Sequence, residues 1–250
     1  MTQLQTLTAA AALLVAVPAA CQSAAREIGP GSAEIRAEQV RERADTLDLL
    51  VPQGGGAQAA GMVVLQTTLG EAQGVLVRVE RITDGDGNLM ALDSFTVDRA
   101  TLAPLTVLAR GGTGMRKLRW EAGRVRGHDA DGGTIDVAAD EPAFYSNSVD
   151  MVLAALPLAE GYEAAIRFSG GDEQNGSSPV RVTGQEDVTT GDGGRCRAWR
   201  VEVGGSGHAG TYWIGAGDRA LVRFDGGSGG VRILRRNGCG AAPPGNRATR

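Results

Sequence analysis

Two histidines, three cysteines and a run of alternating acids are the residues in this 250-residue chain whose types most readily do chemistry. His128 precedes Asp129, and His208 follows the glycine-rich stretch Gly204 to Gly207. Either would serve as a general base only if the fold brought a Ser, Cys or carboxylate within hydrogen-bond reach. No HExxH, CxxC or G-x-S-x-G pattern accompanies them, so both read as surface loop histidines. Asp84, Asp86 and Asn88 open like a calcium loop. Leu89 then stands where that loop needs its sixth-position glycine, and Phe95 where it needs the closing glutamate. A tight hairpin turn accounts for the same residues. Gly112-Thr113-Gly114 lacks the third glycine and the following helix of a dinucleotide loop. The expectation is no catalytic residue, no metal site and no cofactor, with a hydrolase built on His128 or His208 as the competing idea.

The cysteines say more about location. Met1 to Ala20 carries no charged side chain and contains the apolar run Ala9 to Val17, too short to span a bilayer but suited to an export signal. Pro18-Ala19-Ala20-Cys21 resembles the lipobox of bacterial lipoproteins, in which the cysteine is acylated after cleavage. Acylation of Cys21 would hold the protein on a membrane; an ordinary cleavage after Ala20 is the alternative. Gln22 and Ser23 follow Cys21, which by the same resemblance favours the outer membrane and the periplasmic side of the cell envelope. An exported chain meets an oxidising compartment, so Cys196 and Cys239 form a candidate disulfide, with two separate thiols the alternative.

Composition sets the frame. Lys and Arg number 25 against 29 Asp and Glu, which offers nothing to nucleic acid. The 42% hydrophobic and 22% charged content is that of a globular chain. The 38 glycines are roughly twice ordinary usage. Residues 1–20 read as signal peptide, 21–34 as anchor and tether, 35–236 as one domain, and 237–250 as a flexible basic tail. Between Arg126 and Arg167 every charged residue is acidic, and after Asp225 every one is basic. These read as a solvated rim and a free end, or as an acidic patch for a protein partner and a basic tail for phosphate headgroups.

Period-two alternation dominates from Met62 onward. Val75, Val77 and Val79 share one face while Arg78 and Glu80 share the other; Trp199, Val201 and Val203 oppose Arg200 and Glu202. Leu118 and Trp120, Val180 and Val182, and Val231 and Ile233 repeat the pattern. Glycine clusters such as Gly191 to Gly194 separate these runs, predicting hairpins between roughly ten antiparallel strands. Asn147 to Leu156 breaks the pattern with Val149, Val152, Leu153 and Leu156 at helical spacing. Asn147 or Ser148 can cap it, Asp150 lies in its first turn, and Pro157 stops it. The predicted fold is mainly β: a large curled antiparallel meander, or half-barrel, with one helix packed on its concave face.

The ordered stretches Asp93 to Leu105, Ser148 to Leu158, Val182 to Glu186, Ala198 to Glu202 and Thr211 to Ile214, with Arg219 and Leu221 to Arg223, resemble an uncharacterised family of exported bacterial β half-barrel proteins. That family is related in shape to lipoprotein carriers of the LolA and LolB type. The resemblance covers roughly residues 60–235 and implies a sheet curved around a helix and a place in the envelope, with no reaction attached. Tyr212 and Trp213, being adjacent, must face opposite sides of their strand. Trp120, Val152, Leu153, Trp199, Tyr212 and Trp213 are the candidates for lining an apolar groove. The expected role is non-enzymatic binding of an apolar or lipid-like ligand. A structural module docking another envelope protein is the alternative.

Overall fold

The computed structural model describes residues 26–239 except 113, 122, 140, 172–174, 206 and 227–229. The signal segment, Cys21 and its acylation, and residues 240–250 lie outside the described residues.

Two antiparallel meanders form the sheet. The first runs through β2 (Arg43–Gln53), β3 (Gly56–Leu69), β4 (Val75–Asp84), β5 (Leu89–Asp98), β6 (Pro104–Gly111), β7 (Gly114–Glu121), β8 (Arg124–His128) and β9 (Thr134–Ala138). The second comprises β11 (Glu163–Ser169), β12 (Asn175–Thr189), β13 (Arg195–Val203), β14 (Gly210–Gly215), β15 (Leu221–Gly226) and β16 (Arg232–Arg235). β16 pairs with β2, with Ile233 opposite Leu49, and so joins the end of the second meander to the start of the first. Two short strands, β1 (Glu27–Ile28) and β10 (Phe144–Tyr145), add parallel pairings to β11. The path ends at β9 on one side and β1 on the other, an open half-barrel. Sixteen strands replace the roughly ten expected, because two-residue and five-residue strands leave too little alternation to read.

The one α-helix among the described residues, α1 (Val149–Ala155), lies in the link from the first meander to the second. Seven residues are too few for a stable isolated helix. Burial supplies what length does not: every residue of α1 except Asp150 is buried, with Val152, Leu153 and the following Leu156 fully enclosed. Ser148 does not cap the helix; its hydroxyl donates to the Tyr145 carbonyl at 2.7 Å. Phe95, Leu118, Ile166 and Ile214 from the two meanders and Phe144 from β10 complete the core around it.

The domain is wider than residues 35–236. Glu27 and Ile28 pair with Ala165 and Ile166, and Ile28 is fully buried, so the segment expected as tether contributes a strand from residue 27 onward. At the other end the structure joins Cys196 and Cys239 in a disulfide, and the Gly238 amide donates to Asp192 at 3.3 Å. Tyr212 joins the main core and Trp213 faces outward, where it forms a second cluster with Val188, Cys196, Ala198 and Val222 against which Cys239 packs. Charge segregation along the sequence also dissolves on folding. Asp136 pairs with Arg124 and Glu163 with Arg181, while Arg232, Arg235 and Arg236 bind Asp225, Asp218 and Asp48. The basic end, as far as it is described, is part of the domain surface and not a free tail.

Candidate ligand site on the concave face

β4 presents the reverse of its expected faces. Val75, Val77 and Val79 are half-buried on the outer side, whereas Leu76 and Arg78 are buried inside. β-branched residues suit either surface of a pleated strand, so the valines do not fix the inner face. What does is a set of partners for the charges. Arg78, 3% exposed, donates to Thr67 on β3 at 2.8 Å and to Asp150 on α1 at 2.5 Å. A guanidinium so enclosed is tolerated only when paired and hydrogen-bonded.

One register step further along, a row across four strands carries three polar residues and one alanine. Glu80 on β4 stands opposite Asp93 on β5, Asp93 opposite Ala109 on β6, and Ala109 opposite Arg116 on β7. Asp93 is 7% exposed, and its Oδ2 accepts from the Tyr145 hydroxyl at 2.9 Å and the Asn147 amide at 2.5 Å. Its other oxygen, Oδ1, is buried with no hydrogen-bond partner. An acceptor left in that condition costs about 1 to 3 kcal/mol.

Electrostatics follow from the packing. Burial pushes the Glu80 carboxyl from its usual 4.5 up to about 7, opposed by Arg78 and reinforced by the negative charges of Asp150 and Asp93. Asp93 is raised too, chiefly by burial, against the lowering effect of Asn147, Tyr145 and Arg116. Burial and the Asp93 charge raise the Tyr145 phenol strongly, so it remains a donor. Since folded Glu80 holds its proton more tightly than the unfolded chain does, its contribution to stability is complete below about 4.5 and is lost as pH rises through about 7. Glu80→Gln should therefore be more stable than the parent by about 3 kcal/mol at pH well above 7. Urea titrations in acid and alkaline buffer check this: the gap between the two proteins should be small in acid and widen with pH.

Above this row lies a half-open pocket of about 400 Å³. Glu80, Asp93, Arg116 and Asn147 supply its polar wall, and Ile82, Ala91, Leu92 and Ala109 its apolar one. Ala91 and Ala109 are small residues facing larger ones, which leaves the volume open. A second space of about 220 Å³ lies beside Trp120, between Pro104 and Pro142. Trp120 meets Tyr145 edge-on with ring centroids 6.0 Å apart, so Tyr145 links the two spaces through its ring and its hydroxyl.

Of the six residues expected to line one apolar groove, Val152, Leu153 and Tyr212 are core, Trp199 and Trp120 pack half-buried against that core with Trp120 also lining the smaller space, and Trp213 alone belongs to the outer cluster. A strand's aromatics are divided between its two faces by period two, so they cannot all meet. His128 ends β8 opposite Lys117. His208 lies in the loop between β13 and β14 but is half-buried instead of on the open surface; its ring packs on Phe168 with centroids 5.5 Å apart, and burial lowers its pKa. Asp84 accepts from the amides of Asp86 and Asn88 at 3.0 and 2.8 Å, which makes the calcium-like run a turn. Among the described residues no group of three His, Cys, Asp or Glu could hold a metal, and no helix is long and apolar enough to cross a membrane.

The polar row itself escaped the sequence reading. Its signal was present: Asp93 shares parity with Phe95 and Val97, which places a carboxylate on an apolar face. Residues 56–232 match the family described as a protein of unknown function, DUF3108. The chain belongs to the DUF3108 family. The matched span runs from the start of β3 to the start of β16, so it holds α1, Tyr145 and the whole row, while Cys239 falls outside it. An uncharacterised family is what the ordered strand motifs implied. Among solved structures the DUF3108 chain is similar to a Bacteroides fragilis protein described as a presumed exported protein with a YmcC-like fold. That likeness has 12% identity and a TM-score of 0.32 over 78% of this chain and 93% of the other. No curated protein matches the sequence at a significant level.

Proposed function

We propose that this DUF3108 protein is a non-catalytic binding protein of the cell envelope that takes a small amphipathic, lipid-like molecule into the pocket above Glu80 and Asp93. The observation that carries this reading is the Asp93 Oδ1, a buried acceptor without a partner beside a half-open space of about 400 Å³. That is within the usual size range of small-ligand sites. A ligand hydroxyl or ammonium would satisfy Asp93, and its apolar body would lie against Ile82, Ala91, Leu92 and Ala109. The uncharged, apolar start of the chain and Cys21 support an exported, membrane-anchored setting on the outer-membrane side.

Displacement of an environment-sensitive fluorophore by octanol or octylamine tests the site. Ala109→Phe fills the space between Asp93 and Arg116 from a residue that already lines it, so it should abolish displacement while thermal stability stays near the parent value. Displacement that survives in Ala109→Phe would put the ligand elsewhere. No binding by either protein, together with a single protein partner on cross-linking in cells, would favour the assembly-module reading instead.

A further inference from the structure

The outer face of the first meander carries an unusual surface. Among the described residues, four of the five exposed large hydrophobic ones, Leu89, Met90, Leu108 and Met115, lie on β5, β6 and β7. The outward positions between them are basic. Across β4 to β7 one register row reads Arg81, Leu92, Arg110, Met115, and the next row places Leu108 opposite Lys117. Arg81, Arg110 and Lys117 are exposed and make no ion pair or hydrogen bond with the described residues. Most arginines of this protein are paired, including Arg124, Arg126, Arg195 and Arg232 on other strands, so three unpaired cations around a cluster of Leu and Met stand apart. The acids of the adjoining turns do not pair with them: Asp84 and Asp129 accept from the amides of their own turns.

From this we infer that the outer face of β4 to β7 docks on an anionic lipid surface. Exposed apolar side chains supply insertion into the headgroup boundary, and cations beside them supply attraction to lipid phosphates. Over the outward strand positions Arg81, Arg110, Lys117 and Arg119 outnumber Asp98 and Glu121, an excess of positive charge that complements an anionic bilayer. Arg110 also lines the ligand pocket, so a docked protein would hold the pocket mouth close to the membrane. Leu92 and Arg110 belong to both surfaces, but the docking surface does not depend on the pocket being occupied.

Vesicle flotation of the full chain carrying Cys21→Ser, which cannot be acylated, provides the test. Binding to phosphatidylglycerol vesicles should exceed binding to phosphatidylcholine vesicles by roughly 100-fold at low salt, given about a fivefold gain per cation near the surface, and should fall as salt is added. The triple variant Arg81→Gln, Arg110→Gln, Lys117→Gln should lose that preference. Met115→Ser with Leu108→Ser should weaken binding to both kinds of vesicle. All these positions are exposed, and unchanged thermal midpoints verify that the variants fold. Equal binding of the parent to the two lipids, or a triple variant that binds phosphatidylglycerol as the parent does, would overturn the proposal. Because this readout is lipid binding and the pocket is tested by fluorophore displacement, the two can fail separately.

Discussion

Asp150→Ala is expected to destabilise the fold by about 3 to 5 kcal/mol, the range for removing one partner of a buried ion pair. Arg78 is 3% exposed, and its Nη2 donates to Asp150 at 2.5 Å. Without that carboxylate a positive charge remains between the sheet and α1, with Thr67 at 2.8 Å as its remaining hydrogen-bond partner and only the proton-retaining Glu80 carboxyl nearby to offset it. Domains of ordinary stability have about 5 to 15 kcal/mol to lose, so the variant should unfold at much lower urea than the parent. Pairing the change with Arg78→Met removes the stranded charge and should recover most of the loss, because an apolar side chain of similar length suits that enclosed position. If Asp150→Ala unfolds at the parental urea midpoint, the charge is not buried as described.

Replacing both Cys196 and Cys239 by serine should cost about 4 kcal/mol in the chain-entropy account of a cross-link across 43 residues. The consequence should be local as well as global. The bridge holds the chain just beyond β16, the strand joining the two meanders, and Arg235 on that strand reaches Asp218 at 2.6 Å and Asp45 at 3.1 Å. Loss of the bridge frees the segment that keeps these charges enclosed and exposes part of the Trp213 cluster. Amide exchange should therefore accelerate first in β16, before the central strands β3 to β5. Oxidised and reduced protein with the same melting point would contradict this.

The sequence revealed the elements better than their inner faces. Alternation marked the strands, glycine clusters marked the hairpins, and apolar residues at helical spacing marked α1, all of them local patterns. Opposite facing of Tyr212 and Trp213 followed from geometry alone. The polar site depends on contacts between distant residues. Arg78 is oriented inward by Asp150, 72 residues later, and Asp93 by Tyr145, 52 residues later. A reading based on period two assigns charges to solvent, and here the sheet turns Arg78 toward the helix because α1 brings a carboxylate to meet it, and Glu80, on the same face of β4, is carried inward with it. Strand β1 was hidden for a different reason: two residues in a Gly, Pro and Ser-rich stretch carry no period at all.

The central claim is that Asp93 presents a free acceptor to a ligand, and calorimetric titration of the parent and Asp93→Asn with octylamine addresses it most directly. The asparagine carbonyl can keep the bonds from Tyr145 and Asn147, while its NH₂ group takes the place of Oδ1. The fold is thereby preserved and a donor replaces the buried, unpartnered acceptor of a residue that lines the pocket. A charge-assisted hydrogen bond contributes about 1.5 to 3 kcal/mol, so Asp93→Asn should bind at least tenfold more weakly than the parent. Equal affinity in the two proteins would contradict the assignment of this pocket.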